Sequence, residues 1–202
     1  QTCCGQPSFN AGYIKETKKL ADKFINDFTS NSIIVSPGGS CTGFIKNYYP
    51  SLYDIDKDKE VARNLGNRMY DITDFLVNVL KITDVGAIFN NTVTIHDSCS
   101  AIREYGLKNE PRILLSNVKG LQIIELDERE TCCGFGGTFS MKHSAISTAM
   151  VEQKVRFALE TGAKFITSTE GSCLMNIAAY IKKNNVPITP IHIVDILVNQ
   201  TL

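Results

Sequence analysis

The sequence predicts an α/β protein of two similar parallel-sheet halves related by internal duplication, with cysteine loops at the C-terminal strand ends facing each other. Three observations predict this. Short β-branched apolar runs alternate with longer segments of helical period. The cysteines repeat in order: Thr2-Cys3-Cys4-Gly5 precedes Gly39-Ser40-Cys41, and Thr131-Cys132-Cys133-Gly134 precedes Gly171-Ser172-Cys173. The spacings also match, with 36 residues between Cys4 and Cys41 and 39 between Cys133 and Cys173. Finally, every cysteine falls at or just after the end of an expected strand, where ligands collect in parallel α/β sheets.

The elements follow in order. Asn10 to Phe28 reads as a helix, with Asn10 as N-cap and Ile14, Ala21, Phe24 and Phe28 on one face. Ser32 to Ser36 is a β-branched run, hence a buried strand, broken by Pro37-Gly38-Gly39 just before Cys41. A helix from about Asp58 to Leu80, interrupted near Gly66, is expected next. The second half repeats the plan with strand Thr92 to Ile95, then Cys99, then strand Leu121 to Leu126. After the loop Cys132 to Gly137 come helix Ser140 to Glu160 and strand Phe165 to Thr167. Cys173 opens another helix, and Pro187 to Ile193 is a last strand before a short terminal helix. The halves are placed at residues 1–85 and 86–202, joined around residues 81–91. A complete first half would carry a counterpart of Cys99 about thirty residues before Cys3. The repeat therefore predicts a further strand, helix and eighth cysteine upstream of Gln1.

Composition narrows the functions. Lys plus Arg and Asp plus Glu number 21 each, so no net field favours nucleic acid or an anionic membrane. No apolar run reaches the length of a membrane span. Seven thiols with two vicinal pairs fit a reducing compartment, and a cytoplasmic location is expected.

Cys99, in His96-Asp97-Ser98-Cys99, completes a set of four with Cys132, Cys133 and Cys173. Cys3, Cys4 and Cys41 form the matching set of three. Thiolates in fours are what zinc and iron–sulfur clusters require. Adjacent cysteines can serve one centre only from an irregular loop, because in a strand they point to opposite faces. Gly134, Gly136 and Gly137, and Gly5 in the first half, supply that irregularity. Single-zinc sites favour C-x-x-C knuckles, and the chain has none. Vicinal ligands suit a multinuclear cluster better, since each can reach a different iron.

The C-x32-C-C-G-x38-C pattern of the second half, and the CCG…GSC of the first, resemble the cysteine-rich CCG-domain family. That family includes heterodisulfide reductase B subunits, glycolate oxidase iron–sulfur subunits and the lactate utilisation protein A (LutA, YkgE) type. Cys3 to Pro7, Ser36 to Cys41, Cys132 to Ser140 and Cys173 to Ile177 resemble the last of these. The resemblance implies an iron–sulfur subunit of a cytoplasmic complex oxidising L-lactate to pyruvate, which passes electrons and does not itself bind lactate. It implies a 4Fe-4S cluster on Cys99, Cys132, Cys133 and Cys173, and a second in the first half if Cys3, Cys4 and Cys41 gain a fourth ligand. It further implies partner subunits, one a ferredoxin-like iron–sulfur protein. The wider family closes each half with C-x-x-C, whereas Gly38 and Glu170 stand here in place of the first of those cysteines. Four thiolates per half favour an ordinary cubane over a five-thiolate cluster. Glu170 is expected at a helix start or on the surface. Two other readings stay open: a disulfide or heterodisulfide reductase with cluster-based chemistry, and a structural zinc protein.

Among the remaining candidates, His96 is either a donor beside the cofactor or the cap of a strand–helix turn. His143 is expected to be simply exposed or packed on its helix, and His192 to be structural. Gly134-Phe135-Gly136-Gly137 lacks the Lys-Ser/Thr of a phosphate loop, so its N–H groups are assigned to sulfur. Asp74 and Asp195 read as helix N-terminal carboxylates, and Lys15, Lys18 and Lys19 as a solvated face.

Overall fold

The computed structural model describes residues Cys3–Gln200; Gln1, Thr2, Thr201 and Leu202, at the outer edges of the two expected halves, lie outside the described residues. Its sheets are wholly parallel, as the alternation of strand and helix requires. The first sheet pairs β1 (Ile34–Ser36) with β2 (Met69–Asp71). The second runs in the order β4-β3-β5-β6, from β3 (Thr92–Ile95), β4 (Gln122–Ile123), β5 (Phe165–Ser168) and β6 (Thr189–His192). With two strands in one sheet and four in the other, the strand plan does not display the duplication.

In the first half, α1 (Gln6–Asn10) and α2 (Ile14–Asp27) precede β1. The single helix expected from Asn10 is thus two, and Tyr13, not Asn10, stands at the N-cap of α2. Gly12, at φ +84, turns the chain between them. On α2 the inward face is Thr17, Ala21 and Phe24, while Ile14 is exposed. After β1 come α3 (Gly39–Tyr48) and α4 (Asp56–Asn67). The long helix expected to Leu80 ends at Asn67. Met69-Tyr70-Asp71 instead pairs with β1 as β2, and helix resumes in α5 (Ile72–Asp74) and a π-turn over Phe75–Val79. A three-residue strand between helices carries too little period to be seen in sequence.

In the second half, a π-turn (Ala101–Tyr105) and α6 (Glu110–Ser116) follow β3. The strand expected over residues 121–126 shrinks to the two residues of β4. The helix expected from Ser140 is broken at His143 (φ −129, ψ 51) into α7 (Phe139–Lys142) and α8 (Ser144–Glu160). Next come β5, α9 (Gly171–Asn184), β6 and α10 (Ile193–Leu197). One core joins Val93 and Ile95 of β3 to Leu114 of α6 and Ile196 of α10, and a second joins Ile166 of β5 to Val155 of α8 and Ile177 of α9. The first half has its own core around Phe24, Phe44, Tyr49 and Met69.

The halves meet where α3 lies on the π-turn at residues 101–105. A β-carbon on Gly39 would stand 2.8 Å from that of Ala101, and one on Gly43 would stand 2.7 Å from that of Glu104. Glycine at both positions lets the two backbones approach, and this contact aligns the cysteine end of β1 with the cysteine end of β3. Among the described residues no helix is long and apolar enough to cross a membrane.

Candidate metal centre

All seven cysteines line one cavity of about 380 Å³, together with Ser40, Ser98, Phe135, Gly136, Gly137 and Glu170. Loops of both halves supply them: Cys3 and Cys4 before α1, Cys41 in the first turn of α3, Cys99 after β3, Cys132 and Cys133 between β4 and α7, and Cys173 in the first turn of α9. None is in a disulfide.

The vicinal pairs divide their work by burial. Cys3 is exposed and Cys132 half-buried, whereas Cys4 and Cys133 are buried. In both loops the glycine after the pair turns back at positive φ, +93 at Gly5 and +83 at Gly134. Each then donates its N–H to the first thiol of the pair, Gly5 to Cys3 Sγ at 3.4 Å and Gly134 to Cys132 Sγ at 3.3 Å. A side chain anchors the second member's carbonyl in each case: Tyr49 Oη donates to Cys4 O at 2.7 Å, and Asn176 Nδ2 to Cys133 O at 2.9 Å. Gly134 cannot be replaced lightly, because a β-carbon there would meet Ser147 O at 2.6 Å. Gly134 therefore shapes the loop from outside, while Gly136 and Gly137 border the cavity itself.

Crowding sets thiol acidity. Cys4 Sγ lies 3.1 Å from Cys41 Sγ; their hydrogen bond raises the Cys4 pKa and lowers that of Cys41. In the second set, hydrogen bonding within the group raises Cys99 and Cys133 and lowers Cys132 and Cys173, Cys133 acting as donor to both of the latter. Ser98, whose Oγ lies 3.8 Å from Cys173 Sγ, also favours the Cys173 thiolate. A group that stabilises some thiolates at the expense of others is prepared for a cation that can take all of them.

His96, at the end of β3, is 1% exposed, and neither ring nitrogen has a hydrogen-bond partner among the described residues. A ring nitrogen of His96 and the sulfurs of Cys133 and Cys173 all lie within 4.8 Å of one another, so these three could hold a metal ion. His96 is therefore not the cap of a turn. That role belongs to His192, whose Nδ1 accepts the Val194 N–H at 3.2 Å to cap α10. His143 is exposed and lies against the Phe139 ring.

Several supporting residues were not singled out in the sequence. Lys154 is fully buried on α8 and donates to Glu128 O at 2.7 Å and Arg129 O at 3.2 Å, holding the approach to Cys132. Burial pushes its pKa down to about 8. Its signal was a lysine within the apolar stripe Val151, Val155, Ala158. Behind His96, Arg112 grips buried Asp97 with both Nη atoms, at 3.0 and 2.9 Å, and also pairs with Glu125. Glu170 is 6% exposed and not on the surface; burial raises its pKa to about 6. Asp74 does more than begin a helix, since Tyr105 Oη donates to its Oδ2 at 2.5 Å. Lys15 and Lys19 are exposed, and Lys18 lies over the Tyr53 ring.

Comparison with known proteins agrees with this arrangement. The family model described as a cysteine-rich domain, CCG, matches residues 1–46 and 93–178, which carry all seven cysteines. Lactate utilization protein A of Oceanobacillus iheyensis is 43% identical over 98% of this chain and 81% of its own length. Its counterpart in Bacillus subtilis is 42% identical over 98% and 83%, and lactate utilization protein A 1 of Bacillus mycoides is 44% identical over 98% and 81%. The chain thus belongs to the cysteine-rich CCG-domain proteins and, within them, to the lactate utilization protein A family.

Proposed function

We propose that this chain serves lactate utilisation as an iron–sulfur electron-transfer subunit, binding a 4Fe-4S cluster through Cys99, Cys132, Cys133 and Cys173. The observation that carries the reading is the convergence of seven unbridged thiols from five separate chain segments on one cavity. The names of the relatives supply lactate. The seven thiols, with the His96 imidazole that has no partner among the described residues, outnumber the single carboxylate at the cavity, Glu170, which suits a thiophilic iron cluster. Cys3, Cys4 and Cys41 form a second, three-thiolate set in the same cavity, which a fourth ligand would complete.

A bound cluster supplies one-electron transfer. The protein's own part is electrostatic and steric. The Gly5 and Gly134 N–H groups donate to Cys3 and Cys132, stabilising negative charge on those sulfurs. Buried Cys4, Cys133 and Cys173 exclude water from the inner side of the cavity. The less buried first members of each pair, exposed Cys3 and half-buried Cys132, face outward, where a partner subunit, including a ferredoxin-like protein, would exchange electrons. The two halves at residues 1–85 and 86–202 act as the two walls of the cavity. No free acid–base pair beside a substrate pocket is needed by such a subunit.

The test is anaerobic purification followed by iron, zinc and acid-labile sulfide analysis, with EPR after reduction. About four iron and four sulfide per occupied site are expected, and Cys99→Ser or Cys173→Ser should remove the second-half signal. A colourless protein carrying one zinc would instead favour the site formed by His96, Cys133 and Cys173. Turnover of a disulfide by the isolated iron-loaded chain would favour a reductase.

A further inference from the structure

Cys41 and Cys173 occupy the same place in their helices, the third residue after the N-cap. Neither helix is capped by the side chain of its own N-cap residue, Gly38 for α3 and Glu170 for α9. The first N–H groups of a helix have no partner within it and, when buried, must find one elsewhere. The Ser40 N–H, second in α3, finds it across 130 positions of sequence: it donates to Glu170 Oε2 at 3.0 Å. The Glu170 main-chain carbonyl meanwhile accepts the Leu174 N–H at 3.1 Å, opening α9. One residue thus begins one cysteine-bearing helix and caps the other.

Gly38 makes this arrangement fit. Its backbone, at φ −142 and ψ 113, is extended and open to any residue, so conformation does not demand glycine. A β-carbon at position 38 would stand in ordinary van der Waals contact with the carboxylate, 3.4 Å from Glu170 Oε1 and 3.8 Å from Oε2, so a longer side chain there would compete with it for space. Serine or asparagine is the usual N-cap because its own oxygen takes the N2 or N3 amide. Here that oxygen comes from the opposite half, and the residue that would ordinarily supply it has no side chain. Ser172 Oγ steadies the same carboxylate, donating to Oε1 at 3.4 Å.

We propose that Glu170 is a cap in trans, a positioning residue that locks the helix of Cys41 to the helix of Cys173 across the interface of the halves. It keeps the two cysteine sets at a fixed separation. The capping bond is a property of the folded chain with or without metal, and only its consequence for electron transfer rests on the iron–sulfur reading.

The test is hydrogen exchange at the Ser40 amide in the metal-free, full chain, so that its failure is separable from failure of the cluster. Glu170→Ala should speed that exchange about tenfold, the equivalent of one lost cap. Glu170→Gln keeps an acceptor oxygen and should leave the amide slow. The double variant G38S/E170A places a cap oxygen in cis, in the space the carboxylate vacates, and should restore slow exchange. Unchanged exchange in E170A overturns the proposal, as does exchange in E170Q or G38S/E170A as fast as in E170A. If E170A is too unstable to measure, G38S/E170A must still fold, and its failure to do so is equally decisive.

Discussion

Replacing Arg112 by Met should destabilise the metal-free protein by about 3 kcal/mol, and the reason lies behind the cysteine cavity. Asp97 follows His96 and precedes Cys99 by two residues. Its side chain is only 5% exposed and both its oxygens are taken by Arg112, at 3.0 and 2.9 Å. Removing one partner of a buried ion pair leaves an uncompensated charge, at a cost of about 3–5 kcal/mol. Two features place this case at the lower end. The Arg112 side chain keeps 20% exposure, and Arg129 Nε remains 3.9 Å from Asp97 Oδ2. Glu125 loses the same guanidinium, the main cause of its lowered pKa, but at 43% side-chain exposure water replaces it cheaply. In a chain of this size about 3 kcal/mol lowers Tm by about 6–12 °C. Urea unfolding followed by far-UV circular dichroism measures the effect. Arg112→Lys should fall between wild type and R112M, since it keeps charge but loses the two-pronged geometry. The double variant D97N/R112M should recover much of the loss because no buried charge remains. If R112M stays within about 1 kcal/mol of wild type, or the double variant is no better than R112M, then Asp97 is not held as a buried carboxylate and this reasoning is wrong.

Two further outcomes follow from other buried charges. Lys154→Met removes two charge-assisted bonds to the Glu128 and Arg129 carbonyls but also relieves the burial of an ammonium group; the bare carbonyls should dominate, costing about 2 kcal/mol and, on the proposed iron–sulfur reading, lowering iron retention at Cys132 and Cys133. Retention of wild-type stability and iron content would show that Lys154 does not hold this loop. Asp71 is fully buried, with Oδ1 bound to the Thr73 N–H and Oγ1 and Oδ2 without a partner among the described residues. Burial raises its pKa above 3.8 in the folded protein, so its stabilising contribution is complete below pH 3.8 and lost as pH rises through the folded value. Asp71→Asn should therefore be more stable than wild type by about 1 kcal/mol at neutral pH, with the gap closing on acidification; urea midpoints across that range check it, and a less stable D71N at neutral pH contradicts it.

What the sequence disclosed and what it concealed divide along physical lines. Strands β3 and β5 were legible because β-branched runs between turn residues have few other uses, and they stand within one residue of expectation. The helix opened by Cys173 was equally plain. Strand β2 was hidden because three residues between two helices carry no measurable period, and only pairing with β1 makes Met69-Tyr70-Asp71 a strand. The gathering of the cysteines could be anticipated from their order, since a repeated spacing on a repeated strand–helix plan puts them at one edge. Their environment could not. The contact of Gly38 with Glu170, the grip of Arg112 on Asp97 and the seat of Lys154 beneath the Cys132 loop join residues 15 to 132 positions apart. Such pairs leave no local pattern, and Gly38 and Glu170 gain a shared meaning only when the two positions are seen to lie together.

His96 poses the sharpest energetic question in the molecule. A neutral imidazole has one N–H to donate and one lone pair to fill, and in the metal-free chain neither finds a partner among the described residues. Two such buried, unmet groups cost about 1–3 kcal/mol each. A centre bound by Cys133 and Cys173 would remove the share of that cost due to the N–H, because a thiolate or sulfide accepts it, and both sulfurs already lie within 4.8 Å of a ring nitrogen. The two states of the protein should then respond oppositely to His96→Phe, which keeps a ring and deletes both polar atoms. Without metal the variant should be at least as stable as wild type. With the cluster bound, four thiolates still suffice to hold iron, so iron content should persist. The midpoint potential should fall, since a lost hydrogen bond to sulfur disfavours the added electron. Loss of all iron from H96F would make the imidazole a ligand in its own right. An unchanged potential together with a destabilised metal-free protein would make His96 a packing residue, and the unmet ring nitrogens would need another explanation.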